Sequence, residues 1–209
     1  MEVREGRDDP GRGRNDRLSF VRELAILVVS ALLLAMAVKA FVAQAFYIPS
    51  GSMLPQLQVN DRIVVSKLAY RLHDPRRGDI VVFDSPTPRP AQDEGLVEKV
   101  LEGIGQALGV TPPSTDEFVK RVIALPGETV EGRGGKVYVD GLEVVEPYLP
   151  AGTVTSDFSA VEVPEGTVWV MGDNRANSAD SRVFGAIRES AIVGRAVARV
   201  WPFSEASFL

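Results

Sequence analysis

Ser52, in Ser50-Gly51-Ser52-Met53-Leu54-Pro55, follows an apolar run by about ten residues, which puts a hydroxyl on a flexible turn beside any membrane that run enters. From Val42 to Ser52 the extended chain reaches at most roughly 35 Å, so chemistry at Ser52 acts on something held at the same surface. A serine hydroxyl is a weak nucleophile at neutral pH and needs an adjacent base. The chain has no cysteine, which excludes a thiolate nucleophile, a disulfide framework and a cysteine metal site. It has one histidine, His73, so histidine-rich metal sites are excluded and a Ser-His-Asp triad stands only if His73 supplies the base. Leu72-His73-Asp74-Pro75-Arg76-Arg77 reads as a polar turn, which speaks against that role.

Lysine is the substitute, since Ser-Lys pairs follow the same logic as the triad. An amine works as a base only where burial lowers its pKa, because desolvation disfavours the ammonium form. Lys39 lies in the apolar run, Lys67 ends a strand, Lys99 falls in a helically spaced insertion and Lys136 follows the Gly134-Gly135 turn. Lys120 lies within Phe118-Val119-Lys120-Arg121-Val122-Ile123-Ala124-Leu125-Pro126-Gly127, an apolar strand running into a Pro-Gly turn. It is the best candidate for a desolvated amine. On these residues alone an ordinary edge-strand lysine stays open.

The elements that must position this pair begin with the apolar run. Leu24 to Val42 reads LAILVVSALLLAMAVKAFV, interrupted only by Ser30 and Lys39, a length that suits one crossing by a helix at 1.5 Å per residue. Lys39 near its end can reach the head groups, and Phe41, Phe46 and Tyr47 are expected as an interfacial aromatic belt. The alternative is a cleaved secretory signal. The run is long for a signal's central region, although Ala43-Gln44-Ala45 loosely fits a small-x-small cleavage site. Arg4, Arg7, Arg12, Arg14, Arg17 and Arg22 precede the run, which keeps the N-terminus cytoplasmic and the rest outside. The expected organisation is a disordered tail over 1–19, a transmembrane helix over 20–46 and an extracytoplasmic catalytic domain over 47–209.

About 165 residues after the run suffice for one domain with a proper core. A net charge of −5 argues against nucleic acid as partner. Short β-branched or aromatic runs at 62–65, 79–83, 118–123, 136–139 and 167–171 are bounded by turn signals such as Arg77-Gly78-Asp79 and Pro126-Gly127. Asp140-Gly141 marks a two-residue hairpin, and Ala191 to Trp201 is expected to close the sheet as a last strand. The fold class is therefore mainly β: an antiparallel sheet with coiled connections, preceded by one N-terminal transmembrane helix. Residues 84–117 interrupt the rhythm with proline-rich ends and a helical repeat at Leu96, Val97, Val100, Leu101, Ile104 and Leu108, read as an insertion with one amphipathic helix. Trp201, Phe203 and Phe208 are expected at the bilayer beside Phe46 and Tyr47, with core packing the alternative for Trp201.

Four blocks occur in order: Ser50-Gly51-Ser52-Met53-Leu54-Pro55, Arg77-Gly78-Asp79-Ile80-Val81-Val82-Phe83, Lys120-Arg121-Val122-Ile123-Ala124-Leu125-Pro126-Gly127-Glu128, and Gly172-Asp173-Asn174-Arg175-Ala176-Asn177-Ser178-Ala179-Asp180-Ser181-Arg182. Together they resemble bacterial type I signal peptidase, a membrane-anchored Ser-Lys endopeptidase. The resemblance implies Ser52 as nucleophile, Lys120 as general base, and Ser50 with the Ser52 N–H as oxyanion hole. It implies that Ser178 orients the lysine amine and that Asp180 and Arg182 form a supporting ion pair. Met53 and Pro55 would shape the strand against which substrate lies, and Phe118 would line the same groove and cover the amine. Asp173, Asn174 and Arg175 are read as structural. Gln56 and Phe118 stand where the family usually has threonine and often tyrosine; neither replaces a catalytic atom.

The implied reaction is removal of signal peptides from secretory preproteins after small-x-small sites, through an acyl-enzyme, with no cofactor and no metal. The implied partners are preproteins and the lipid bilayer, and the implied place is the plasma membrane in a single pass. Two other readings stay in view: a relative dedicated to one substrate, and a membrane-tethered binding module without catalysis.

Overall fold

Helix spreads beyond the apolar run in one direction and stops short in the other. The computed structural model describes residues 12–86 and 117–209 and, inside the first helix, the side chains of residue 20 and residues 22–35. The chain forms two compact units, Met1–Ala40 and Phe41–Leu209. The first contains α1 (Arg12–Phe41) up to Ala40. Arg14, Arg17, Leu18, Arg22 and Glu23 are good helix formers, so helix propagates outward from Leu24 and residues 12–19 are helical rather than part of a disordered tail. At the other end Ala43–Tyr47 form strand β1, so the expected 20–46 helix ends early, at Phe41. The cause is tertiary: Phe46 is 3% exposed and belongs to the core of the second unit, so it is not a membrane-belt residue.

Within α1, Leu24, Ile26, Leu27, Val28, Val29, Leu32, Leu33 and Leu34 are all exposed, and at about 100° per residue they cover every face. Among the described residues, no helix is long and apolar enough to cross a membrane.

The second unit is mainly antiparallel β. Its larger sheet contains β1, β2 (Arg62–Ser66), β3 (Ile80–Asp84) and β4 (Glu117–Ala124). The smaller contains β5 (Thr129–Arg133), β6 (Lys136–Val139), β7 (Leu142–Glu143) and β8 (Phe158–Glu162). The chain then returns to the larger sheet with β9 (Thr167–Met171), β10 (Ile187–Arg188), β11 (Ile192–Trp201) and β12 (Ser207–Phe208). The larger sheet runs β1-β2-β11-β3-β4-β9-β10 with β12 beside β11, and the smaller runs β7-β6-β5-β8. The strand expected to close the sheet is instead interior: β11 pairs with β3 through Ile192–Arg195 and with β2 through Arg195–Trp201. Its length lets one strand serve β3 on one side and β2 on the other, with β12 added at Ala198 and Arg199.

β3 explains why the sheet is buried on both faces. Ile80 and Val82 join Phe46, Ile48, Met53 and Leu57 in one core cluster, while Val81 and Phe83 join Val122, Val168 and Val170 in another. Alternate residues of a strand point to opposite faces, so a continuous apolar run needs cover on both. The Asp140-Gly141 hairpin forms as expected, with φ of 50° and 77° and Val139 facing Leu142. Strand β5 escapes sequence reading because Gly132 interrupts it. A Cβ there would lie 2.5 Å from the Phe158 ring and 2.9 Å from the Ser156 carbonyl oxygen, so glycine lets β8 approach. The segment between β3 and β4 leaves and returns at paired residues, Asp84 and Glu117. The amphipathic helix expected within it lies outside the described residues.

Candidate active site

Ser52 sits in a 3-10 turn, Gly51–Met53, whose last residue is driven into the core: Met53 is 1% exposed. Met53 therefore anchors the turn from below. Lys120 is carried by β4, and its Nζ lies 2.8 Å from Ser52 Oγ and 2.9 Å from the Val119 carbonyl oxygen. The amine stands 5.4 Å from the centre of the Phe118 ring, which in turn stacks on Phe83. Lys120 is 2% exposed. Burial pulls its pKa from 10.5 down to about 8, against the opposing attraction of the Asp180 and Asp173 carboxylates.

Two residues far from Ser52 in sequence fix its turn. The Asn174 N–H donates to the Ser52 carbonyl at 3.0 Å, and Asn174 Nδ2 donates to the Gly51 carbonyl at 3.0 Å. Gly172 packs against the same carbonyl, and a Cβ there would fall 2.5 Å from Ser52 O and 2.2 Å from Ser178 Oγ. The sequence reading gave Asn174 only a structural part and singled out no role for Gly172. An amide side chain directly after a strand-ending Gly-Asp was the available signal.

Buried ion pairs hold the loop that carries these groups. Asp173 accepts from Arg121 through both oxygens, at 2.9 and 2.7 Å, and Arg121 also donates to the Gly78 carbonyl. The Arg121 guanidinium lies 3.9 Å from the Tyr148 ring centre, and Tyr148 donates to Glu146. Glu146 pairs with Arg175, whose Nε donates to the Gly172 carbonyl. The second fork is Asp180 with Arg182, at 2.8 Å on each oxygen, and Asp180 Oδ2 also accepts from the Gly172 N–H at 3.0 Å. Burial alone would raise the Asp180 pKa, but Arg182 and the Gly172 N–H outweigh it and hold the carboxyl below its ordinary range. Such a carboxylate stabilises the fold above its unfolded pKa and loses that contribution as pH falls through the folded value. Asp180→Ala leaves the Arg182 guanidinium buried without its partner and is expected to cost about 3–5 kcal/mol in urea unfolding at pH 7. A loss below about 1 kcal/mol would mean the fork is ornamental.

The remaining expected residues fall as follows. Ser50 Oγ lies 3.4 Å from Ser52 Oγ. Ser178 Oγ is buried without a hydrogen-bond partner of good geometry among the described residues, although its dipole helps keep Asp180 acidic. Pro55, with Leu54, Asn174 and Ala176, lines an open cleft of about 370 Å³ next to the turn. His73 lies 2.8 Å from the Asp74 carbonyl and edge-on to Tyr70, with no bond to Ser52, so the triad reading has no geometry behind it. Among the described residues no cluster of acids or histidines could hold a metal.

The structure thus brings a serine hydroxyl on a tight turn within hydrogen-bond distance of a buried amine, an arrangement in which a neutral amine can activate a hydroxyl. The chain matches the family model described as "Signal peptidase, peptidase S26" over residues 21–201. It is 43% identical over 185 residues to a probable signal peptidase I-1 of Synechocystis, covering 88% of this chain and 85% of that one. It is 36% identical to signal peptidase I of Mycobacterium tuberculosis, covering 93% and 76%, and 34% identical to signal peptidase I T of Bacillus subtilis, covering 85% and 84%. A solved signal peptidase I from Enterococcus faecalis, 29% identical, matches with a TM-score of 0.41 over 59% of this chain and 97% of that one. This chain belongs to the signal peptidase family, peptidase S26, whose type I members cleave signal peptides.

Proposed function

We propose that this chain is a membrane-anchored signal peptidase that cuts secretory preproteins after small-x-small sites with Ser52 as nucleophile and Lys120 as general base. The observation that carries the reading is the 2.8 Å separation of Lys120 Nζ and Ser52 Oγ at an amine only 2% exposed. In its neutral form the amine accepts the Ser52 O–H proton as Oγ attacks the substrate carbonyl carbon. The oxyanion is received by the Ser52 N–H, a first-turn donor with no partner inside its own 3-10 turn, and by the Ser50 hydroxyl. Lys120 then protonates the departing amine of the mature chain, leaving the signal peptide esterified to Ser52. Water, deprotonated by Lys120, releases it. Ser178 orients the amine, and the Asp180–Arg182 fork braces Gly172. No cofactor and no metal enter this scheme.

Substrate adds as a strand to β4. β9 pairs with β4 only from Arg121 onward, so Phe118–Lys120 offer an edge beside Ser52 that no described strand takes. Anchoring rests on α1, whose apolar side chains ring the helix and whose Ser30 hydroxyl is satisfied internally by the Leu27 carbonyl at 2.9 Å. The arginine-rich side stays cytoplasmic and the catalytic unit faces outward. Trp201, Phe203 and Phe208 are 46%, 78% and 93% exposed and form a surface fit for the bilayer.

The test is cleavage of a preprotein carrying an Ala-x-Ala site in detergent, by the wild type, Ser52→Ala and Lys120→Ala, with products identified by mass. Wild-type cleavage after the second alanine is expected, lost by roughly 10³-fold or more in both variants. Its kcat/KM should rise with pH through about 8, because only the neutral amine is a base. A flat profile into acid, or activity surviving Lys120→Ala, would assign the base elsewhere. No cleavage by any form would favour a dedicated substrate or a binding module.

A further inference from the structure

Two clefts abut beside the nucleophile turn, sharing Val154, Arg175 and Ala176. The first, of about 370 Å³, reaches Leu54 and Pro55, which closely follow Ser52 in the chain. The second, of about 570 Å³, reaches Ser178 and Val183. Both volumes fall in the range of ligand-binding sites. The inner end of this trough borders the reacting groups, since a Cβ on Gly172 would touch both the Ser52 carbonyl and Ser178 Oγ. One wall is the segment 150–158 and the other is the loop 173–183, and two arginines tie them together. Arg175 donates from Nε to the Gly172 carbonyl beside its own loop, and from Nη1 to Thr155 Oγ1 of the opposite wall at 2.9 Å. Arg182 holds Asp180 on its own side and donates from Nη1 to Ser156 Oγ of the opposite wall at 3.2 Å. The trough is therefore preformed. Each guanidinium is already matched by a carboxylate, Glu146 or Asp180, so neither is left as a free cation. The rim is apolar instead: Val154 and Val183 are 69% and 75% exposed.

We propose that this trough seats the first residues of the mature chain, the part of the preprotein that departs, and that Val154 and Val183 set a preference there; this rests on the peptidase reading above. When Ser52 Oγ attacks, the acyl part and the departing amine lie on opposite sides of the carbonyl carbon. The acyl part takes the Phe118–Lys120 edge, and no described residue of β3 or β4 lines either cleft. The trough starts at the same serine without meeting that edge, which suits it to the other half of the substrate. Its occupant is an extended, uncharged segment with an apolar side chain between Val154 and Val183, because the walls offer apolar area and arginines that are already paired. Contacts of this kind lie away from the bond that breaks. They raise kcat/KM by holding the scissile carbonyl over Ser52 Oγ.

The experiment measures kcat/KM of the full chain in detergent on Ala-x-Ala peptides that share one signal side and carry mature sides of one to five residues. A rise of about tenfold from the shortest to the longest is expected for the wild type. Val154→Glu and Val183→Glu place a carboxylate on the rim, and both positions are exposed enough to leave the fold intact. With Lys or Asp scanned over mature positions two to five, each variant should favour Lys by about fivefold or more at one position or another. The wild type should discriminate by less than about threefold, its arginines being paired. Turnover independent of mature length would overturn the proposal. So would a length effect with no new charge preference in either variant, or a preference equally strong with Lys or Asp on the signal side. A wild type that cuts neither these peptides nor a full preprotein would instead overturn the peptidase reading on which it rests.

Discussion

Lys120→Met is expected to abolish proteolysis and at the same time to make the folded chain more stable at neutral pH. The amine is 2% exposed and its pKa is drawn from 10.5 to about 8 by burial. Below pH 8 the folded state holds a charged amine in a place that disfavours it, and the gap corresponds to about 3 kcal/mol. The sign follows from proton counting. Between about pH 8 and 10.5 the unfolded chain binds more protons than the folded one, so wild-type stability rises with pH across that window. Methionine fills a similar volume and carries no charge. The variant should therefore exceed the wild type by about 3 kcal/mol at pH 7, and the difference should shrink from pH 8 and fade near 10.5. Urea unfolding of both chains from pH 6 to 10.5 measures it, with turnover of the Ala-x-Ala preprotein alongside. A variant that is less stable at pH 7, or a gap that ignores pH, would show that the lysine is comfortable as an ammonium. It would then be a poor base.

Gly172→Ala adds one methyl group and is expected to cost roughly 10² in kcat with a small change in KM. The reason is steric. The new Cβ would lie 2.5 Å from the Ser52 carbonyl oxygen, 2.2 Å from Ser178 Oγ and 2.6 Å from Ser178 Cβ. Neither side yields easily. The Ser52 carbonyl is held by the Asn174 N–H, and Gly172 itself is held by Asp180 on its N–H and by Arg175 on its carbonyl. The strain must go into the nucleophile turn or the Ser178 side chain, and a displacement near 1 Å of a reacting group costs about 10²-fold. Overpacking should remove about 1–3 kcal/mol of stability, which leaves the chain folded for kinetics. Activity within threefold of wild type would show that the turn moves freely, and the contact would then have no catalytic meaning.

Much of this site was legible because its residues announce themselves by type. With no cysteine and one histidine, lysine was the base left to consider, and Lys120 alone sat inside an apolar strand that runs into a turn. The strands around it were legible for the same reason: β3 and β4 are β-branched runs closed by turn residues. What was not legible depended on distance. Phe46 and Tyr47 read as aromatics beside a membrane helix, yet Phe46 turns into a core whose other members, from Met53 to Ala196, come from much later in the chain. Strand β11 read as a closing edge because local pattern cannot say how many neighbours a strand will have. Asn174 and Gly172 act through single close approaches to the Ser52 carbonyl, and no periodicity in a sequence encodes an approach of that kind.

The pairing of Asp84 with Glu117 has a meaning for how this protein can vary. A hairpin whose two arms are zipped to their last residues presents its tip as a socket, and the frame is indifferent to what is plugged in. Each doubling of a flexible loop's length adds only about 0.6 kcal/mol to the closure cost. Lys120 stands three residues inside the zipped arm, so length and chemistry can be exchanged at the tip while its amine keeps its place 2.8 Å from Ser52 Oγ. The catalytic unit thus carries a port where a lineage can write a new address or partner preference without editing the machine.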